Sequence, residues 1–284
     1  MALRGGLDLG AALPRAAVPT RSGELLLMPA ESEQAVGFKL LSLAPGNPSI
    51  GAPRIQGLYV LFDAETLTPQ MLIDGPALTS LRTAAVSALA VAHLAVPDAR
   101  TLTIFGTGPQ ALAHAQAIAS IRPIRIVQIV PRRSGGAAAI CAVLRSEGIA
   151  AEPGTGGSAR AADIVVCATT SALPLVDGDL LAGHACVVAI GSHQAGVREL
   201  DDRVFARASR VVVEDRATAL REAGDVILAI ESGAIAASDL IDVGEMIALD
   251  RSLGLSVFKS VGMGWQDLVV AEALCAAWIS ETTA

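Results

Sequence analysis

Aromatic residues are nearly missing from this chain: Phe, Trp and Tyr make up 3% of its 284 residues. A core must then be built from Ala, Val, Leu and Ile, which suits parallel strands buried on both faces and packed by alanine-rich helices. Charge is sparse as well. Charged residues are 17% of the chain, the formal net charge is -7 and no basic run occurs, which argues against a nucleic-acid partner. Four scattered cysteines (Cys141, Cys167, Cys186, Cys275) form no Cys-x-x-Cys pair, so they read as buried thiols of a reducing cytoplasm and imply no metal set. No signal peptide is read at the start, so a cytoplasmic location is expected. The longest apolar stretches are too short or too interrupted to span a bilayer, and no membrane partner is expected. With 52% hydrophobic residues, burying a core is no difficulty, and the length suits one large or two ordinary domains.

The most informative stretch is TLTIFGTGPQALAHAQAIA, residues 101–119. An apolar β-branched run ends at Phe105, Gly106-Thr107-Gly108-Pro109-Gln110-Ala111 follows, and a helical apolar pattern continues through Ile118. This is Gly-x-Gly-x-x-Ala between strand and helix, the alanine-ending dinucleotide fingerprint. Gly106 makes the turn, Gly108 lets the backbone approach a pyrophosphate, and Ala111 permits close helix–strand packing. Free N–H groups at the helix start, with Pro109 and Gln110, favour the phosphates.

Before this stretch the chain reads as a mostly β unit. Strands are expected at 36–43, 57–63 and 70–73, with Ala64-Glu65-Thr66 as a hairpin turn. Lys39 lies inside the first of these apolar strands, where an unpaired ammonium is costly to bury. A helix is expected from Thr79 as N-cap to about Leu94, with Arg82 and Thr83 in its first turn as an anion site. Pro97-Asp98 breaks that helix and marks a domain boundary.

From Thr101 to about Ser260 strand and helix alternate, which indicates a doubly wound parallel sheet. Residues 264–280 read as one helix returning to the first unit. The expected domains are therefore residues 1–97 with 261–284, and 98–260. The second strand of the sheet ends VQIV and continues Pro131-Arg132-Arg133-Ser134. An NAD site usually has a carboxylate there, whereas neutral and basic residues suit the 2′-phosphate. Arginine matches phosphate by its forked geometry and permanent charge, so NADPH is favoured over NADH.

LIDGPALTSLRTAAVSA, TIFGTGPQA, AIGSHQAGVRELDD, VVEDRATALREAGDV and VFKSVGMGWQD follow one another in this chain. Their order resembles the ornithine cyclodeaminase/mu-crystallin family, and the second half is most similar to mu-crystallin and the bacterial ketimine reductases. The resemblance implies a Rossmann-type α/β domain inserted in a discontinuous α+β substrate-binding domain that dimerises. It implies a substrate with a carboxylate beside a C=N bond or an amine, such as Δ1-pyrroline-2-carboxylate or Δ1-piperideine-2-carboxylate. By the same resemblance Arg15, Lys39 and Arg82 form a cationic clamp for the carboxylate. Thr83, the glycine turn, Arg132, Arg133, Ser134, Thr169, Thr170, Ile190 and Ser260 contact the cofactor. Glu199 is an acid of the substrate pocket, and Asp267 matches a late aspartate of the family.

Lys39, Arg82 and Glu199 are the candidate catalytic residues. Cyclodeaminases of the family carry a proton-moving aspartate after the fifth strand, where this chain has Ser192-His193. That departure favours simple hydride transfer to the imine, with His193 against the substrate. An ornithine cyclodeaminase-type lyase, an alanine dehydrogenase-type oxidoreductase and a non-catalytic ligand-binding protein are the alternatives.

Overall fold

A computed structural model describes residue 13 and residues 15–133, 135–251 and 253–283. Five strands come first: β1 (Ala16–Thr20), β2 (Gly23–Glu31), β3 (Ala35–Leu43), β4 (Ile55–Asp63) and β5 (Pro69–Asp74). Helix α1 (Gly75–Leu94) leads to the alternating part, β6 (Thr101–Phe105), α2 (Pro109–Ile121), β7 (Ile126–Val130), α3 (Ala138–Ser146), β8 (Ala151–Pro153), β9 (Ile164–Cys167) and β10 (Cys186–Ala189). It continues with α4 (Asp202–Arg207), β11 (Arg210–Val213), α5 (Arg216–Glu222), α6 (Gly224–Glu231), β12 (Leu240–Asp242), α7 (Val243–Met246) and β13 (Ser256–Lys259), and α8 (Gly264–Thr283) closes the chain.

The chain divides into two compact units, one of residues up to Thr83 together with Met263 onward, the other Ala84–Gly262. The first division falls inside α1, ahead of the break expected at Pro97-Asp98. Packing explains it: within the second unit, Ser87 Oγ lies 2.9 Å from His114 Nε2, and Arg122 Nη2 donates to the Val91 and Ala92 carbonyls at 2.9 and 2.8 Å.

In the first unit β1 to β5 form an antiparallel meander in chain order. Its inner face packs on α8 through Ala30, Ala35, Tyr59, Leu61, Leu268, Ala271 and Cys275, with Leu78 of α1. Strand alternation puts Lys39, opposite Tyr59, on this buried face. The other face is also apolar. Val18, Leu27, Leu40, Leu58, Val60 and Leu72 line it, Phe38 stacks on Phe62 at 5.8 Å, and Leu58 and Leu72 are 52% and 69% exposed.

Helix α1 starts four residues earlier than the expected cap at Thr79. Asp74 Oδ1 accepts the Ala77 N–H at 2.7 Å, and Pro76 follows in the first turn, where its missing N–H costs nothing. Arg82 and Thr83 therefore lie about two turns inside the helix, away from its free N–H groups, and the first-turn anion site is not formed. Among the described residues α1 is also the one helix long and apolar enough to cross a membrane, against the expectation of none; 56% of its apolar window is buried in the protein, as for a core helix.

The second unit carries an eight-stranded sheet in the order β12-β11-β13-β10-β9-β6-β7-β8, with every pairing parallel. Its core is Val- and Ala-rich, as strands covered on both faces require. The chain runs outward from β6 through β7 to β8 and then restarts at β9 on the other side of β6. That reversal is the topological switch point, outside whose carboxyl strand ends α/β proteins bind ligands.

Candidate active site

In the second unit five neighbouring strands, β13, β10, β9, β6 and β7, end together, and their ends carry the residues singled out for the cofactor. Gly106 follows β6 with φ +124°, and its N–H donates to Val130 at the end of β7 at 3.0 Å. A Cβ there would come within 2.4 Å of the Ala168 carbonyl after β9, so only glycine fits. Gly108 differs: its backbone is extended (φ −86°, ψ −178°), and a Cβ would meet nothing within 4 Å. It is the N-cap of α2, no side chain caps that helix, and Pro109 opens it. Ala111 is fully buried beneath the turn. An uncapped helix start beside an open glycine face is the cradle a pyrophosphate needs.

Below this turn, burial lowers His114 to a pKa of about 4, against the opposing bond to the Gln110 carbonyl. The imidazole is therefore neutral in the physiological range and braces α2 on α1 through Ser87. Arg132 and Arg133 follow β7 and are exposed, and no carboxylate stands at that strand end. Ser134 lies outside the described residues.

Thr169 follows β9; its N–H and Oγ1 both donate to Glu199 Oε1, at 2.9 and 2.7 Å, and Thr170 beside it is exposed. Ile190 follows β10, its N–H bonded to the Cys167 carbonyl at 3.0 Å, and the Gly191 N–H donates to Glu199 Oε2 at 2.7 Å. Glu199 is thus fully buried, with both oxygens engaged by the β9 and β10 loops. Burial raises its pKa, while the Lys259 charge opposes. Glu199 thereby ties the two loops together, its oxygens serving the Thr169 and Gly191 N–H groups and the Thr169 hydroxyl. Ser260 follows β13, and its hydroxyl donates to Glu214 Oε1 at 2.8 Å. His193 is exposed on the loop after β10.

Sequence reasoning passed over a second buried ion pair here. Lys259 Nζ stands 2.8 Å from Asp225 Oδ2 and donates to the Ser192 carbonyl at 2.6 Å, while Asp225 Oδ1 accepts the Glu199 and Leu200 N–H groups at 2.7 and 2.9 Å. The signal was the one that singled out Lys39, a cation inside an apolar strand. The chain has only two lysines, Lys39 and Lys259, and both are buried.

The first unit holds the cationic cluster. Lys39 Nζ from β3 meets Asp267 Oδ1 and Oδ2 at 3.0 and 2.8 Å and Thr79 Oγ1 at 3.2 Å. Arg82 Nε stands 3.2 Å from Asp267 Oδ1, and its Nη1 donates to Gln266 Oε1 at 2.6 Å. Lys39 and Asp267 are fully buried and Arg82 nearly so. Burial and the Arg82 and Arg15 charges lower Lys39 to about 8 against the opposing pull of Asp267. Arg15, half-buried ahead of β1, acts on Lys39 through its field. Thr83 turns its hydroxyl to the Thr79 carbonyl at 2.7 Å.

The model of the ornithine cyclodeaminase/mu-crystallin family matches residues 8–281. The chain belongs to that family. Among its members, a Δ1-pyrroline-2-carboxylate reductase of Bacillus cereus is 35% identical over 262 residues, covering 88% of this chain and 80% of the relative. A solved Thermococcus litoralis Δ1-pyrroline-2-carboxylate reductase, in complex with NADH and L-proline, superposes with a TM-score of 0.88 at 25% identity, over 95% of this chain and 88% of that one. An archaeal alanine dehydrogenase dimer with bound NAD gives 0.89 at 28% identity, over 99% and 91%.

Proposed function

We propose that this protein reduces the C=N bond of a cyclic imino acid, Δ1-pyrroline-2-carboxylate or Δ1-piperideine-2-carboxylate, to the corresponding amino acid, with NADPH as reductant. The observation that carries the reading is the buried Lys39–Arg82–Asp267 cluster. Two cations share one carboxylate, which leaves one positive charge for the carboxylate of a substrate. That class of substrate is also what the reductases among its relatives are named for.

The cofactor is a nicotinamide dinucleotide. Gly106, Gly108 and the start of α2 would hold its pyrophosphate, and Thr169, Ile190 and Ser260 stand at the neighbouring strand ends. When bound in reduced form, it supplies a hydride. Arg132 and Arg133, with no carboxylate at the end of β7, support the 2′-phosphorylated form. Reduction adds a hydride to the imine carbon and a proton to its nitrogen. Lys39 and Arg82 anchor the carboxylate next to that carbon, and anchoring is worth several of the roughly 7–11 kcal/mol that orientation can contribute. Glu199 and Asp225 hold the loops after β9 and β10. Residues 191–198 contain no carboxylate, which weighs against cyclodeamination.

The apolar outer face of the meander supports a homodimer joined through this sheet, since apolar faces of this kind mark protein interfaces. The primary test follows loss of NADPH absorbance with each imine, with NADH in parallel. Oxidation with NADPH preferred is expected. NADPH binding without turnover of either imine would overturn the reading.

A further inference from the structure

The two lysines of this chain sit in matching settings, each fully buried against an aspartate, Lys39 with Asp267 and Lys259 with Asp225. The settings differ in one respect. Asp267 serves two cations, because Arg82 Nε shares the Oδ1 that Lys39 Nζ uses.

We propose that Asp267 is a positioning residue for the reduction, holding the Lys39 ammonium charged and aimed so that the cluster offers one net positive charge to the substrate carboxylate. The identity of that substrate rests on the proposed function; the charge state of Lys39 does not.

Consider what surrounds Lys39 Nζ. From α1 come Arg82 and Thr79; from the segment before β1 comes the field of Arg15. Tyr59 lies opposite on β4, and burial raises its phenol, so it stays neutral. Met28, opposite on β2, carries no charge. Along α8, Glu272 accepts the Ser32 hydroxyl at 2.5 Å and acts on Tyr59. Asp267 is the carboxylate that touches Lys39, with both oxygens. It lies in the first turn of α8, and Gln266 beside it takes Arg82 Nη1. Two consecutive residues at one helix start therefore fix both cations.

The sign of the pH effect follows. Burial, Arg82 and Arg15 all disfavour the ammonium, and Asp267 opposes them, leaving Lys39 at about 8. Lys39 is a cation below that pH and neutral above it, so carboxylate binding weakens as pH rises through the midpoint. Without Asp267 the midpoint falls, and binding is lost from a lower pH. An opposite charge at this range is worth about 1 to 3 pH units.

The test uses the full chain labelled with 15N-lysine, whose two Nζ resonances are titrated in wild type, Asp267→Asn and Asp267→Glu. A Lys39 midpoint near 8 is expected, lowered by about 1 to 3 units in Asp267→Asn and returned toward wild type in Asp267→Glu. Lys259, in the other unit, is the reference and should not respond. With the imine, the alkaline limb of kcat/KM should move with Lys39, through KM of the imine and without change in KM for NADPH. An unmoved Lys39 midpoint in Asp267→Asn overturns the proposal. If that variant does not fold, the Asp267 carboxyl 13C signal of the wild type decides: a step at the Lys39 midpoint supports the contact, and no step removes it. A wild type without imine reduction would sink the proposed function alone, since the resonance titration needs no turnover.

Discussion

Lys39 and Asp267 are 228 residues apart in the chain and meet with 0% of either side chain exposed. One comes from the middle of a meander strand, the other from the first turn of the last helix. Neither is tolerable alone at that depth: removing one partner of a buried pair leaves an uncompensated charge. Their pairing closes the first unit across the length of the sequence, and it makes the cationic cluster.

Arg82→Ala removes one of the two cations and leaves Asp267 to Lys39. A hydrogen bond to a charged group is worth about 1.5–3 kcal/mol, so KM for the imino acid should rise about 10- to 100-fold. KM for NADPH should stay within about a factor of two, because the glycine turn belongs to the other unit. Steady-state kinetics with each substrate varied in turn checks this; an unchanged KM for the imine removes Arg82 from the clamp.

The arginines after β7 offer a test of the proposed cofactor choice. Replacing Arg132 and Arg133 together with Ala should lower kcat/KM for NADPH by about 10- to 100-fold and leave NADH nearly as before. Equal losses with both cofactors would mean that the pair does not read the 2′-phosphate.

Gly106 and Gly108 should separate folding from binding. Gly106→Ala drives a Cβ toward the Ala168 carbonyl at a φ of +124°, and it should cost about 2 kcal/mol or more in stability, read as a lower Tm. Gly108→Ala meets nothing, so Tm should hold. If the pyrophosphate lies on that face as proposed, the methyl enters its space, and dinucleotide affinity should fall at least about tenfold, about 1.4 kcal/mol. Fluorescence titration with NADPH measures it; full affinity in Gly108→Ala would argue that the pyrophosphate lies elsewhere.

The sheet face of the first unit predicts an assembly. Leu58→Glu with Leu72→Glu puts two charges on that face, and sedimentation should change from dimer to monomer. NADPH binding should persist, because the second unit has its own core. A dimer that survives both changes would place the interface on another surface.

Much of this molecule is legible locally. The strand, glycine turn and helix at 101–119 each depend on residues within a few positions, so Gly106, Gly108 and Ala111 could be assigned from spacing. Lys39 stood out because an ammonium in an apolar strand demands a partner. The short edge strands β8 and β12, of three residues each, carry too little pattern to be read. The start of α1 differs from the reading at Thr79 because Asp74, the stronger capping type of the two and earlier in the chain, makes the bond to the Ala77 N–H.

The sequence by itself determined the alternation of strand and helix, the dinucleotide turn, the absence of a carboxylate after β7 and the family. These follow from periodicity and residue type, which act over short range. Tertiary structure decided the rest: that Lys39 is answered by Asp267 and Lys259 by Asp225, that Glu199 holds two loops together, and that Arg82 lies deep in its helix. The cost of a buried charge or lone pair is set by whatever atom stands within about 3 Å of it, and that atom comes from distant parts of the chain.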